Sequence, residues 1–328
     1  MRRLSRVAHI SAVAVAVLGL ATTLASAQGY PAKPIRFVVG FPAGSITDSL
    51  ARILAEHVKG RLGQPVVVDN KPGANGAVGA GEVARAAPDG YTVLVSNSSS
   101  ITVNPLLYKN LPYAQRDLAP VTLVTAAPFI LTINPDKDFG AAVGSVADLV
   151  RIAKAKPGAL SYGSAGQGNL MQLTMELFSG EAGMQLLHVP YKSGALATTA
   201  LIGREVDVVF DTPTVVPQVK AGRLKALAVT TPTRWRDLPD VPTMIEAGYP
   251  GFDASFWLGV SVPTQTPAAI IRALHEAIRS ALEVPATRIQ LAALGDVLML
   301  DPDKFAARIK RETDDNAATI KRAGIRVE

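Results

Sequence analysis

Residues 160–178, LSYGSAGQGNLMQLTMELF, constrain the fold of this chain more than any other stretch. They read as a short strand, a glycine-dotted loop and an amphipathic helix, with Leu170, Leu173, Leu177 and Phe178 as its buried stripe. A strand that feeds a helix through a short loop is the unit of a layered α/β fold, and the loop emerges at the carboxyl end of the strand. This loop has no lysine, arginine, histidine or cysteine. Its chemistry is backbone N–H groups plus Ser164, Gln167 and Asn169. A helix N-terminus has unpaired donors and a partial positive charge, which suit a small anion better than covalent chemistry. Asn169 and Gln172 stand at the N-cap and N3 positions of the expected helix. Gly163, Gly166 and Gly168 do not follow the G-x-G-x-x-G order, and no G-K-[ST] follows, so a nucleotide loop has little support.

The same unit recurs near the start of the chain. A strand over Ile35 to Val39 leads through Phe41-Pro42-Ala43-Gly44-Ser45 into a helix with Ile46, Leu50, Ile53, Leu54, Val58 and Leu62 on one face. That helix stops near Gly63. Ser45 and Asp48 have capping-box spacing. A strand over Val66 to Val68, a helix from Ala77 to about Ala86 and a strand over Tyr91 to Val95 complete a βαβαβ series. Gly79 and Gly81 let its second helix pack closely. The apolar run from Val121 to Ile133, broken by Pro128, reads as a crossing into a second lobe. There Ser145 and Asp148 cap a helix, and strands follow over Leu187 to Pro190, Val206 to Phe210 and Leu224 to Val229. Phe256 to Val262 reads as the return. Thr266-Pro267 is expected to start a helix with a threonine cap, and Asp301-Pro302 the last one, stopped by Gly324.

The expected architecture is therefore two α/β lobes, each a mainly parallel sheet flanked by helices. Residues 28–125 and 255–328 form the first lobe and 126–254 the second. Ligands of such sheets bind outside the strand carboxyl ends, here in the cleft between the lobes. The loops facing it are Phe41–Asp48, Ser96–Ile101, Gly163–Asn169 and Asp211–Thr214.

Residues 1–27 read as a cleaved export signal. Arg2, Arg3 and Arg6 precede an apolar stretch from Ile10 to Leu24, and Ala25-Ser26-Ala27 matches a processing site. The net charge falls from +6 to +3 on its removal, because the leader holds three arginines and no acid. The remaining charges are scattered and aromatics are 5% of the chain, so nucleic-acid binding has little support. Cysteine is absent, which excludes disulfides, thiolate metal sites, a cysteine nucleophile and an acylated N-terminal cysteine. The mature protein is expected in the periplasm, soluble and without a lipid anchor. No histidines have metal-ligand spacing, so neither a metal nor a cofactor is expected.

Six segments in order carry a resemblance. FPAGSITDSLAR (41–52), NKPGANGAVGAGEVARAAPDGYTVL (70–94), NPLLYKNLPYAQRDLAPVTL (104–123), YGSAGQGNLMQLTMELF (162–178), HVPYKSGALATTALIGREVDVVFD (188–211) and LPDVPTMIEAGYPGFDASFW (238–257) resemble the Bug family, the solute receptors of tripartite tricarboxylate transporters. The resemblance implies a type II periplasmic binding fold that closes on a small mono- or dicarboxylate. In that family one ligand carboxylate is held largely by main-chain groups and ordered waters. Carried over by position, the contacts fall on Phe41, Ala43, Gly44, Ser45, Thr47 and Asp48 in the first lobe. In the second they fall on Ser164, Ala165, Gly166, Gly168 and Asn169, with Asp211 and Thr212 at the far end of the ligand. Asn97 and Ser98, in the cleft-facing 96–101 loop, join this set. This chain departs from the family pattern at Ser45 (a glycine there), Asn169 (serine), Gln172 (histidine), Leu196 (proline) and Ala200 (aspartate).

The residues leave some roles open. Ser45 and Asp48 either contact ligand or cap the helix, and a cap alone is worth about 1 kcal/mol. Asp211 either binds its own turn or accepts from a ligand hydroxyl or amine. Met171 and Met175 have core spacing, His57 and His275 sit on helix faces, His188 opens a strand, and Lys192 either attracts anions to the cleft or, the favoured reading, is a solvated lysine. An exported hydrolase is disfavoured, since neither G-x-S-x-G nor S-x-x-K occurs. The expected role is a monomeric receptor that delivers its solute to a membrane permease; a receptor serving a sensor kinase would have the same sequence features.

Overall fold

The computed structural model describes residues 29–136 and 140–323. The expected leader and Gly324 lie outside the described residues. The first lobe begins with β1 (Ile35–Val39), α1 (Ile46–Leu62), β2 (Val66–Asn70), α2 (Ala77–Ala84) and β3 (Thr92–Asn97). A one-turn α3 (Asn104–Leu107) leads to β4 (Leu118–Pro128). The second lobe holds β5 (Ile130–Ile133), α4 (Val146–Ala155), β6 (Ser161–Ser164), α5 (Leu170–Ala182), β7 (Leu187–Pro190), α6 (Gly194–Ile202), β8 (Val208–Asp211), α7 (Val216–Lys220) and β9 (Lys225–Val229). The chain returns through β10 (Ser255–Pro263) and ends with α8 (Ala268–Leu282), α9 (Pro285–Ala292), β11 (Asp296–Leu300) and α10 (Pro302–Ala323).

The strands form two sheets, ordered β11-β4-β10-β3-β1-β2 and β7-β6-β8-β5-β9. Parallel pairing holds where helices make the crossovers: β1 with β2 and β3, and β6 with β7 and β8. Elsewhere the expectation of mainly parallel sheets is corrected. β10 runs antiparallel to β3 and β4, β11 to β4, and β5 to β8 and β9. Parallel neighbours need a crossover connection; β4, β5 and β10 instead carry the chain between sheets and join them from the opposite direction. Both sheets are therefore mixed.

Local sequence explains most element ends. α1 buries Leu50, Leu54, Val58 and Leu62, each worth roughly 1.5–3 kcal/mol when fully removed from water. It ends where Gly63 takes the left-handed conformation at φ 67° and its N–H bonds the Lys59 carbonyl. Gly79 lets α2 rest on the end of β1: a Cβ there would lie 2.8 Å from the Gly40 Cα. Thr266 does not cap α8. Pro267, with ψ 138°, occupies the cap position one residue later, and the Thr266 hydroxyl is buried without a partner among the described residues. The sequence reading also passed over α9 and β11, whose faces are only partly buried.

The two crossings are bound to each other. Phe129, between β4 and β5, packs its ring 5.2 Å from that of Phe256 on β10. The Phe129 N–H donates to Thr230 Oγ1 at 2.8 Å, and its carbonyl accepts from the Thr230 N–H at 3.0 Å. Among the described residues no helix is long and apolar enough to cross a membrane.

Candidate functional site

A cavity between the two sheets leaves about 80 Å³ for the centres of water-sized molecules. On that measure one water takes roughly 10–15 Å³, so a small metabolite fits. The first lobe supplies Phe41, Gly44, Ser45, Ile46 and Thr47 around the start of α1, with Asn97 and Ser99 from the end of β3. The second supplies Ala165, Asn169 and Met171 around the start of α5, then Ser193, Gly194 and Ala195 at the start of α6. Thr212 and Thr214 follow β8, while Phe129 and Phe256 belong to the crossing strands. No lining residue carries a charge.

Of the residues expected from sequence, Phe41, Gly44, Ser45, Thr47, Asn97, Ala165, Asn169 and Thr212 line this cavity. Ala43, Asp48, Ser98, Ser164, Gly166, Gly168 and Asp211 do not. Ala43 is exposed on its loop. Gly166 lines a neighbouring cavity. Ser98 Oγ accepts from the Trp257 N–H at 3.3 Å behind the wall. The 193–195 segment escaped the sequence reading because its helix lacks an acid or amide at N3; its signal was Ser193 as N-cap, whose Oγ accepts from the Leu196 N–H at 3.3 Å.

The α1 end is the clearer anion cradle. Ser45 caps it, its Oγ accepting from the Asp48 N–H at 3.2 Å, and it also lines the cavity. Asp48 turns back on its own loop. Its carboxylate accepts from the Gly44 N–H, from Arg52 Nε and from Asn70 Nδ2, all at 2.9 Å. Burial raises its pKa, but these donors, Arg52 foremost, outweigh it and hold the carboxyl below the usual range. Thr47 lies between them. It is 1% exposed, lines the cavity, and its hydroxyl has no hydrogen-bond partner among the described residues. Buried hydroxyls are normally paired, so an unpaired one beside a cavity marks a place for a polar guest.

The α5 end behaves differently from the open cradle its sequence suggests. Asn169 Oδ1 accepts from the Met171 N–H at 2.9 Å, and Ser99 Oγ of the other lobe accepts from the Leu170 N–H at 3.0 Å. Gln172 Oε1 accepts from the Gly168 N–H at 2.7 Å, one residue before the cap. Protein groups thus occupy these donors. Further bonds cross the cleft: Asn169 Nδ2 donates to Asn75 Oδ1 at 2.9 Å, Asn75 Nδ2 to the Gly168 carbonyl at 3.1 Å, and Tyr108 Oη to the Gln167 carbonyl at 3.0 Å. The lobes are closed on each other.

Two titratable groups stand just behind the wall. Asp211 is fully buried; it accepts from Thr198 Oγ1 at 2.6 Å and from the Thr212 N–H at 2.8 Å. Burial pushes its carboxyl up to about 7 against the pull of those two bonds. His188 Nε2 lies 2.7 Å from Ser164 Oγ, with the ring stacked on Tyr162. Burial lowers its imidazole to about 4. Among the described residues no cluster of three or more His, Asp or Glu could hold a metal ion.

Comparison with known proteins finds relatives of the same fold. The family model described as "Tripartite tricarboxylate transporter family receptor" (TctC) covers residues 50–325. Protein BugT of Bordetella pertussis is 35% identical over 329 residues, 99% of each chain. Among solved structures, the periplasmic binding protein BugD is 34% identical with a TM-score of 0.84, over 91% of this chain and 100% of that one. Rpa4515 of R. palustris, solved with adipate, is 31% identical with a TM-score of 0.85, over 90% of this chain and 99% of that one. An uncharged cavity between two lobes that meet over it is what a binding protein needs. The chain belongs to the tripartite tricarboxylate transporter receptor family, with Bug-type binding proteins among its relatives.

Proposed function

We propose that this protein is an exported, periplasmic receptor that captures a small carboxylate between its lobes and delivers it to a membrane permease of the tripartite tricarboxylate type. The observation that carries this reading is Thr47: a buried hydroxyl without a partner among the described residues, in an uncharged cavity, within the first turn of α1 that Ser45 caps. A ligand carboxylate there accepts from the Thr47 hydroxyl and from the backbone N–H groups of Ile46 and Thr47 in the first turn of α1, with those of Gly194 and Ala195 at the start of α6. Ser45, Asn97, Asn169 and Thr212 shape the remaining polar wall. Asp48, Ser164, Gly168 and Asp211 act from behind, holding loops and helix ends in place. The adipate in Rpa4515 supports a dicarboxylate as the ligand class.

Micromolar affinity needs about −8.2 kcal/mol. Several charge-assisted hydrogen bonds, at roughly 1.5–3 kcal/mol each before ordering costs, reach that value in a closed cleft. The test is calorimetry of the mature protein, refolded free of ligand, against a panel of mono- and dicarboxylates. Binding of at least one acid, weakened by Thr47→Val, is the expected result; silence across the panel would remove the reading. Delivery is tested separately, by capture of the ligand-loaded protein on membranes that contain a tripartite permease.

A further inference from the structure

A second and larger cavity adjoins the first, with about 430 Å³ for the centres of water-sized molecules. Phe41 and Ala165 line both, so one residue from each lobe forms the partition. The Phe41 ring is backed by Gly76, where a Cβ would come within 3.0 Å of it. The other shared liner is Ala165, whose side chain is a single methyl. The outer walls include Tyr108, Tyr191 and Pro72, which are apolar over most of their surface, and Lys192. The cross-lobe bonds from Tyr108 to the Gln167 carbonyl and from Asn75 to the Gly168 carbonyl run along this cavity.

Charge distinguishes the two compartments. Among the described residues, none that lines the first is charged, and Lys192 is the one charged liner of the second. Its ammonium has no acidic partner among the described residues, and the lysine is exposed on its segment. A carboxylate held by helix ends in the first cavity satisfies that compartment. A diacid confined to the first cavity leaves its other carboxylate against uncharged walls, whereas the adjoining cavity offers a cation.

Resting on the receptor reading above, we propose that the second cavity receives the far end of an elongated α,ω-dicarboxylate. Its near carboxylate lies at Thr47, its alkyl chain passes between Phe41 and Ala165, and its far carboxylate pairs with Lys192. The ammonium sits on a flexible stem, so it serves a range of chain lengths and does not demand one. The occupied second cavity also fills the space beside the Tyr108 and Asn75 bonds, so longer acids favour the closed form.

Calorimetry on the full mature protein with succinate, adipate and azelate tests this, comparing the native chain with Lys192→Gln and Lys192→Arg. Lys192→Gln is expected to weaken azelate about tenfold, to leave succinate within about twofold, and to lose most of that difference at about 0.5 M salt. Lys192→Arg is expected to restore the long acid. Equal losses at every length would reduce Lys192 to a general attractor of anions and overturn the proposal, as would an azelate affinity that ignores the substitution. If no acid binds the native chain, the receptor reading itself fails; if succinate binds and the length profile is blind to Lys192, only the second seat fails. Because Lys192 is exposed, the melting temperature without ligand is expected to stay unchanged, and that measurement confirms an intact fold.

Discussion

A buried hydroxyl without a partner forgoes its hydrogen bonds to water and gains nothing inside the protein. Thr47 is in that position, and the cavity beside it gives the hydroxyl a purpose. Thr47→Val keeps the shape and removes the donor. The expected loss in carboxylate affinity is about fivefold, close to 1 kcal/mol, with the unliganded stability unchanged or slightly higher. Titration calorimetry and denaturant unfolding check the two halves of this statement. His188 and Asp211 give opposite pH responses. The imidazole is held down at about 4, so its contribution to stability is complete above its ordinary value of 6.5 and is lost as the pH falls towards 4. The Asp211 carboxyl is held up at about 7, so its contribution is complete below 3.8 and is lost as the pH rises through 7. Asp211→Asn, which cannot ionise, is therefore expected to gain stability relative to the native chain as the pH rises from 3.8 to 7, with a larger gain at pH 8 than at pH 5. His188→Gln is expected to flatten the loss between pH 6.5 and 4. Melting temperatures across that range decide both.

At the scale of the element, the start of α5 shows one residue serving a helix and an interface together. Asn169 caps the helix with its oxygen and reaches Asn75 of the other lobe with its nitrogen. Serine can cap equally well but is too short to do both. Asn169→Ser is expected to leave unfolding stability within about 0.5 kcal/mol, while Asn169→Ala lowers it by about 1 kcal/mol. Both are expected to weaken ligand binding, because both remove a bond made only when the lobes meet. A serine variant with native affinity would assign Asn169 to capping alone. α1 needs no such division of labour: Ser45 and Asp48 satisfy its first turn from within, and Arg52 and Asn70 fix the Asp48 carboxylate.

At the scale of the molecule, closure links these parts. Ligand that binds only the folded, closed form stabilises it by mass action, about 2.7 kcal/mol at a hundred times Kd. A bound acid is thus expected to raise the melting temperature and to reduce the radius of gyration in X-ray scattering, with Asn75→Ala showing a smaller contraction. The repeated strand-loop-helix units, the capping residues of α1, α4 and α5 and the two crossings were legible in the sequence, because they depend on periodicity and on contacts within a few positions; the eight expected residues that line the cavity came from the family resemblance and from the loops at strand carboxyl ends. α9 and β11 were not, since partly buried faces give weak patterns, and Thr266 misled because the cap moved by one residue to Pro267. The sequence also marked the 160–178 segment as a helix end rich in free donors. Only the tertiary structure decided that Ser99, from the other lobe, takes one of those donors, that α6 brings Ser193 to Ala195 into the cavity, and that Asp48 faces away from it. The reason is physical: local hydrogen bonding is set by neighbours along the chain, whereas a donor's final partner depends on which distant surface closes over it.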